Sequence, residues 1–445
     1  VDILGLVPSF GGLFFTLAAF VAALLVIVTV HEYGHYIVGR WSGIHAEVFS
    51  IGFGPVLYSR QDLRGTRWQL ALLPFGGYVK FMGDADAASG KDGAAMSHMS
   101  DADRRHTMHG APLWARAATV AAGPVFNFIF SILIFSTFFL VQGVATDLPV
   151  VGKVHPLPAT SHELREGDRI LEVGGVPVAD NADFAGAIET LPPAPEVRYL
   201  VDRDGAVTEV TGPYPFPPRV SGVQPQSAAI DAGLKVGDVI LAINGTPITA
   251  FSELRDVIGA SEGKPQVLDV WRDGARLQVT LTPRRKDIPL AAGGFETRWL
   301  IGLSGGMAFD PQTRTPGPFE AIQRGAQQTW YIATTSLSGL YHMVTGAISS
   351  CNLTGPIGIA ETSGAMASQG TADFIWFIAI LSTAVGLLNL FPVPVLDGGH
   401  LVFHAYEAVV GKPPSDLALR VLMAGGLTIL LSLMAFALGN DLFCP

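Results

Sequence analysis

Four stretches of this chain are long and apolar enough to cross a bilayer, at about 12–36, 115–142, 374–391 and 421–438, against the roughly 18–20 residues a helix needs to traverse hydrocarbon. The loop between the first two holds Arg40, Arg60, Arg64, Arg67, Lys80, Lys91, Arg104 and Arg105, whereas the short terminal tails hold no Lys or Arg. Because basic loops stay in the cytoplasm, this asymmetry puts both termini outside, along with the long segment from about 145 to 320. In a Gram-negative cell that is the periplasm, and the spans lie in the inner membrane. The lack of a basic flank before the first apolar run is also wrong for a cleavable signal peptide, so that run reads as a permanent span. The segment 328–349 is interrupted by Gln328, Thr334, Thr335, His342 and Thr345. It predicts an amphipathic helix lying on the membrane surface, in contact with lipid.

The outer segment contains an internal repeat. Leu164, Gly167, Asp168, Ile170, Leu171, Gly175 and Pro177 recur 70 residues later as Leu234, Gly237, Asp238, Ile240, Leu241, Gly245 and Pro247, and Arg203-Asp204-Gly205 recurs as Arg272-Asp273-Gly274. A repeat of this length is one folded unit used twice. The Gly-Asp-x-Ile-Leu strand, the following Gly turn and the Arg-Asp-Gly hairpin turn resemble PDZ domains of the circularly permuted bacterial kind, which capture peptide C-termini by strand addition. The second copy matches better; Ser161-His162-Glu163 departs from the pattern in the first. The division expected is 1–144 for an N-terminal membrane half with a cytoplasmic β-hairpin loop, 145–217 and 218–288 for the two PDZ units, 289–372 for a linker with the surface helix, and 373–445 for a C-terminal membrane half.

Composition narrows the function. A net charge of −10 with no basic cluster carries no electrostatic footprint for nucleic acid. Two cysteines, Cys351 and Cys444, are too few for a disulfide framework or a thiolate zinc site, and a single bridge between them is left open. The stretch 84–110, rich in Ala, Asp, Gly and Ser, reads as a mobile cytoplasmic loop whose His98, His106 and His109 are incidental.

The chemistry is concentrated in His31-Glu32-Tyr33-Gly34-His35, written into the end of the first span. On a helix, residues four apart are separated by about 40° of rotation, so both imidazoles can face one Zn²⁺ while Glu32 takes a proton from water acidified by the metal. A third ligand at soluble-protease spacing is missing: a metzincin would need histidine where Trp41 stands, and Glu47 sits in a Gly- and β-rich stretch. The other carboxylate of intramembrane grade is Asp397, in Asn389-Leu390-Phe391-Pro392-Val393-Pro394-Val395-Leu396-Asp397-Gly398-Gly399. Prolines and glycines there break the third span, which is tolerated at membrane depth where freed backbone groups find partners in protein or a wet cavity. With four spans the first and third both run inwards, so His35 and Asp397 can meet; a fifth crossing at 328–349 would separate them by about 30 Å. His400 would fill the position a substrate needs, so His400, His404 and His45 are read as structural. A bilayer desaturase would need several histidine clusters. A PDZ-bearing scaffold or transporter with a structural metal site is the alternative reading.

These motifs, together with Gly52-Phe53-Gly54-Pro55, Leu73-Pro74-Phe75-Gly76-Gly77-Tyr78-Val79-Lys80, Ala122-Gly123-Pro124 with Asn127, and Leu353-Thr354-Gly355-Pro356-Ile357, resemble the bacterial site-2 proteases of the two-PDZ kind over nearly the whole chain. The resemblance implies a polytopic helical membrane protein with tandem periplasmic PDZ domains, acting as an intramembrane zinc metalloprotease in regulated proteolysis. Its implied substrate is the transmembrane helix of another protein, such as a trimmed anti-sigma factor of an envelope stress response or a signal-peptide remnant. Trp68 to Leu73 and Gly77 to Phe81 read as a hairpin around Pro74-Phe75-Gly76 that either presents an edge to an unwound substrate or merely packs beneath the helices; the family likeness favours the first, so Trp68, Leu70, Leu72, Gly77 and Tyr78 are candidate substrate contacts. The family likeness adds Asn389 as a hydrogen-bonding partner of the substrate backbone. The PDZ pair itself suggests a filter on entry, either excluding bulky external domains or binding a newly exposed C-terminus.

Overall fold

The computed structural model describes residues 10–85, 97, 99–158, 162–290 and 294–444. It divides into two compact units, Val1–Thr137 with Phe319–Tyr341 and Leu353–Cys444, and Phe138–Pro318 with His342–Asn352.

The first unit holds the four membrane-length helices: α1 (Phe10–Trp41), α2 (Leu113–Gln142), α7 (Thr371–Asn389) and α9 (Asp416–Phe443). Their directions follow from the contacts. His31 and His35 meet Asn127 and Thr119 in that order, so α1 runs against α2. Ser131 Oγ donates to Ala379 O at 2.8 Å and Ser382 Oγ to Asn127 O at 3.1 Å, so α7 also runs against α2. The first and third spans are therefore parallel, with Ala23, Ile27 and Ile378 packed between them. Hydroxyls bonded to main-chain carbonyls are the usual polar glue between helices that lack a hydrophobic drive to associate in lipid. After α7 the chain turns through Leu390–Leu396, whose amides bond locally (Val393 N to Phe391 O, Leu396 N to Val393 O), and α8 (Asp397–Val410) begins.

Between α1 and α2 lie β1 (Ala46–Gln61) and β2 (Arg67–Phe81). The hairpin expected between Trp68–Leu73 and Gly77–Phe81 does not form. Val48–Ile51 sits between them, pairing on one side with Gly77–Lys80 and on the other with Arg67–Leu70, and Tyr58–Gln61 pairs beyond Arg67–Leu70. The Pro74–Gly76 bend thus carries β2 across β1 instead of back on itself. The gain is a core of Tyr36, Phe49, Val79, Phe81, Met108 and Ala111. Met108 and Ala111 correct the expectation of a mobile loop over 84–110: its end is packed, with His45 N donating to His106 O at 2.9 Å and Met108 N to Met82 O at 3.0 Å. Residues 86–96 and His98 lie outside the described residues.

The second unit is mostly β. Short strands β3 (Val144–Ala145) and β4 (Val151–Val154) lead into the first repeat, a sheet ordered β6-β5-β7-β8 from β5 (Arg169–Val173), β6 (Val176–Pro177), β7 (Glu196–Arg203) and β8 (Ala206–Pro213), with helix α3 (Asn181–Thr190). The second repeat has β9 (Arg219–Val223), β10 (Val239–Ile243), β11 (Thr246–Pro247), helix α4 (Phe251–Gly259), β12 (Gln266–Arg272) and β13 (Ala275–Leu281). The repeated Asp-Gly dipeptides sit at positive φ on both residues, 54° and 84° in the first copy and 48° and 90° in the second. That is the type I′ turn which matches strand twist and favours these residues. Arg203 forks onto Asp168 at 2.7 and 2.8 Å, and Arg272 forks onto Asp238 at 2.6 and 2.7 Å. Each repeat thereby seals its own buried carboxylate.

The stretch expected as a linker does more. After the hairpin of β14 (Arg284–Pro289) and β15 (Phe295–Leu300), β16 (Leu303–Gly306) joins the second sheet beside β9, β17 (Phe309–Pro311) pairs with β4, and β18 (Thr313–Arg314) pairs with β3. Phe309, 2 % exposed, completes the first repeat's core.

The helix expected at 328–349 starts earlier, as α5 (Pro318–Val344). Its small face, Ala321, Gly325, Thr329 and Ala333, is buried, and Gly325 backs directly onto Ile132 and Ser136 of α2. It is absent from the membrane-length helices. The following α6 (Pro356–Gln369) is capped by the Asp441 carboxylate, which accepts from the amides of Gly355, Ile357 and Gly358 at 2.8–3.1 Å.

Candidate active site

His31 and His35 emerge from the same face of α1, with their rings edge-on and centroids 4.7 Å apart. Asp397 arrives from the first turn of α8, where a helix N-terminus favours a carboxylate. Three electron-rich atoms converge. His31 Nε2 lies 3.1 Å from His35 Nε2, and Asp397 Oδ2 lies 3.1 Å from the first and 3.5 Å from the second. Zinc bonds of about 2.0–2.1 Å at tetrahedral angles put ligand atoms about 3.3 Å apart, so all three edges fit one ion. Asp397 Oδ2 is buried without a hydrogen-bond partner, which suits an oxygen meant for a cation. Among the described residues these three form the one cluster of metal-binding type.

The surroundings orient the ligands. His35 Nδ1 donates to Thr119 O at 2.8 Å, which leaves Nε2 as its free lone pair. Gly123 faces both rings: a Cβ there would stand 2.3 Å from His35 Nε2 and 2.8 Å from His31 Cε1, so α2 can approach only without a side chain. Arg116, near the start of α2, forks onto Glu407 at 2.6 and 2.9 Å and ties down α8, the helix that carries Asp397. Pro394 of the preceding loop rests on Gly426 of α9.

The triad opens into a cavity of about 300 Å³ lined by Glu32, Gly77, Tyr78, Val79, His109, Arg116, Asn389, His400 and His404, among others. Glu32, Asn389, Gly77 and Tyr78 are thus gathered around the metal-binding atoms. In contrast, Trp68 packs into the core 4.4 Å from the Phe49 ring, with Nε1 donating to Asp62 at 3.2 Å, and Leu70 and Leu72 are exposed away from the cavity. Gly77–Phe81 pairs with Ala46–Ile51 and with no other strand among the described residues, so the strand beside Glu32 has an open edge. His400 and His404, read from the sequence as structural, line the same cavity. Burial holds both imidazoles below their ordinary range, and with the nearby Arg116 cation brings His404 to about 4. Gly123, Arg116 and Asn127 escaped assignment because no metal-ligand spacing marks them.

The pattern of peptidase family M50 matches residues 19–433, and the chain belongs to that family. A protein of Agrobacterium fabrum bearing the name zinc metalloprotease is 37% identical over 428 residues, covering 95% of this chain and 94% of its own length. A Rhizobium meliloti protein of the same description is 37% identical over 433 residues, covering 96% of each. The regulator of sigma-E protease of Salmonella typhimurium is 34% identical over 456 residues, covering 96% of this chain and 98% of its own. The chain is therefore a zinc metalloprotease of the site-2, intramembrane class.

Proposed function

We propose that His31, His35 and Asp397 hold the zinc, that Glu32 is the general base, and that the substrate is the transmembrane segment of another membrane protein. The observation that carries this reading is the convergence of three ligand atoms from segments some 360 residues apart. When bound, zinc acidifies water and polarises a peptide carbonyl. Glu32 then accepts the proton of the attacking water and returns it to the leaving amine. A transmembrane helix resists cleavage because its carbonyls are hydrogen-bonded, and unwinding it in lipid strands polar groups at several kcal/mol each. The open edge of Gly77–Phe81 relieves that cost by pairing with the unwound segment, and Asn389, on the cavity wall with its Nδ2 donating to Val385 O at 3.1 Å, offers Oδ1 to the backbone of that segment.

A trimmed anti-sigma factor or a signal-peptide remnant fits this substrate class. The four spans and the basic loop support an inner-membrane protein with its termini and β unit in the periplasm. Both cysteines are disulfide-bonded, which suits an oxidising compartment and points the same way. The repeats act as PDZ domains that filter entry, by excluding untrimmed substrates or by binding a newly exposed C-terminus.

The test is cleavage of a trimmed model transmembrane substrate by wild type and Glu32→Gln, with and without a zinc chelator. We expect Glu32→Gln to keep its zinc and lose about 10²–10⁴-fold in rate; full cleavage by that variant removes Glu32 from the mechanism. For the filter, excising 146–312 joins the chain across the β3–β18 pair and removes whole sheets. Indiscriminate cleavage of untrimmed substrate is expected, and unchanged discrimination rules the filter out.

A further inference from the structure

Asn127 is fully buried on α2. Its main-chain carbonyl accepts from Ser131 Oγ at 3.0 Å and from Ser382 Oγ at 3.1 Å, and its Cβ lies against Gly386. Backbone and Cβ are thus pinned, and the carboxamide turns only about its last torsion. That carboxamide faces His31: Nδ2 lies 3.3 Å from His31 Nδ1, and Oδ1 is buried without a partner.

The chemistry of His31 decides which end must face it. Nε2 is the nitrogen aimed at Asp397 Oδ2 and His35 Nε2. With Nε2 committed to a metal, a neutral imidazole carries its hydrogen on Nδ1, which makes Nδ1 a donor. An amide NH₂ facing a donor N–H is repulsive, whereas a half-turn of the carboxamide brings the unpaired Oδ1 to the ring hydrogen. Amide oxygen and nitrogen are told apart by such partners. The result matches His35, whose Nδ1 already has the Thr119 carbonyl as its acceptor.

We propose that Asn127 is the positioning residue of His31: its Oδ1 accepts the Nδ1 hydrogen when Nε2 is on the metal, fixing the tautomer and the ring plane. The proposal rests on the zinc-site reading above, since an acceptor at Nδ1 matters only if Nε2 is a ligand. Metal ligands lacking such an outer partner typically lose about 10–100-fold in affinity.

The experiment measures Zn²⁺ dissociation constants by chelator competition, and the visible spectrum of the Co²⁺-loaded form, on the full-length chain in detergent. It compares wild type, Asn127→Leu, which keeps the volume without the acceptor, Asn127→Asp, which keeps an acceptor, and Asp397→Ala as a control. We expect Asn127→Leu to bind about 10–100-fold more weakly with an altered Co²⁺ spectrum, and Asn127→Asp to bind within a few-fold of wild type or tighter with the wild-type spectrum. Wild-type affinity in Asn127→Leu, or equal weakening in both Asn127 variants, overturns the proposal. If Asp397→Ala also binds as wild type does, the zinc-site reading itself has failed; if only Asp397→Ala loses metal, that reading stands and the role of Asn127 alone falls.

Discussion

Asp168 and Asp238 in the β unit and the part-buried Asp397 in the membrane unit are carboxylates treated oppositely. In the β unit Asp168 and Asp238, 1 % and 0 % exposed at the side chain, are each gripped by an arginine fork from the neighbouring strand. In the membrane unit Asp397 faces two imidazole lone pairs, and its Oδ2 has no hydrogen-bond donor. A carboxylate taken out of water needs a counter-charge or it destabilises the fold. Where the chain supplies its own cation, the carboxylate is structural. Where it supplies only more lone pairs, at His31, His35 and Asp397, the three groups lie close enough to share one metal ion. The same residue type therefore marks architecture in one unit and chemistry in the other.

This contrast can be attacked from several directions. Beyond the ligands themselves, the largest effect expected is from Gly123→Ala, whose methyl would collide with His35 Nε2. Zinc affinity should fall by about 100-fold, at the upper end for outer-sphere changes, while the melting of the β unit stays put; retained zinc would show that α2 yields easily. Next is Arg203→Met, which leaves Asp168 buried and unpaired. The β unit should melt at a clearly lower temperature with zinc content unchanged, a split that limited proteolysis and metal analysis of the same sample would reveal. The smallest effect is on pH. Burial pushes the Asp168 carboxyl up, but hydrogen bonds from Arg203 and the Arg165 amide outweigh it and hold it below its ordinary value of 3.8. Stability from a depressed carboxyl is present above the unfolded value and lost as pH falls through the folded one. The β unit should hold its stability down to about pH 4 and weaken below it; an acid transition well above that pH would contradict the Asp168 assignment.

Much of this was legible in the sequence because it is periodic or local. The spans follow from apolar length, the repeat from identical residues 70 apart, and the meeting of His35 with Asp397 from the parity of four crossings. The errors lie where the chain pairs at a distance. Pro74-Phe75-Gly76 has the composition of a hairpin turn, yet Val48–Ile51 inserts between the two arms, and no local signal tells a turn from a crossing bend. Residues 303–314 look like linker because each strand is two to four residues long, and their partners lie up to about 170 residues back. Met108 and Ala111 are too isolated among polar neighbours to announce a packed loop end. At the site, His31, Glu32 and His35 carry a recognisable spacing, and Asp397 stands out as a carboxylate of intramembrane grade. Gly123 and Asn127, one helical turn apart on α2, face the ligands only once the spans are packed. His400 and His404 were set aside on coordination grounds, and they line the cavity beside the three ligand atoms.

The central claim is that Asp397 completes a zinc site begun at His31 and His35. Its most direct test is the zinc content and affinity of purified Asp397→Asn beside wild type and Glu32→Gln. One zinc per chain is predicted in wild type and Glu32→Gln, with zinc lost or greatly weakened in Asp397→Asn. Wild-type zinc affinity in Asp397→Asn would contradict the account.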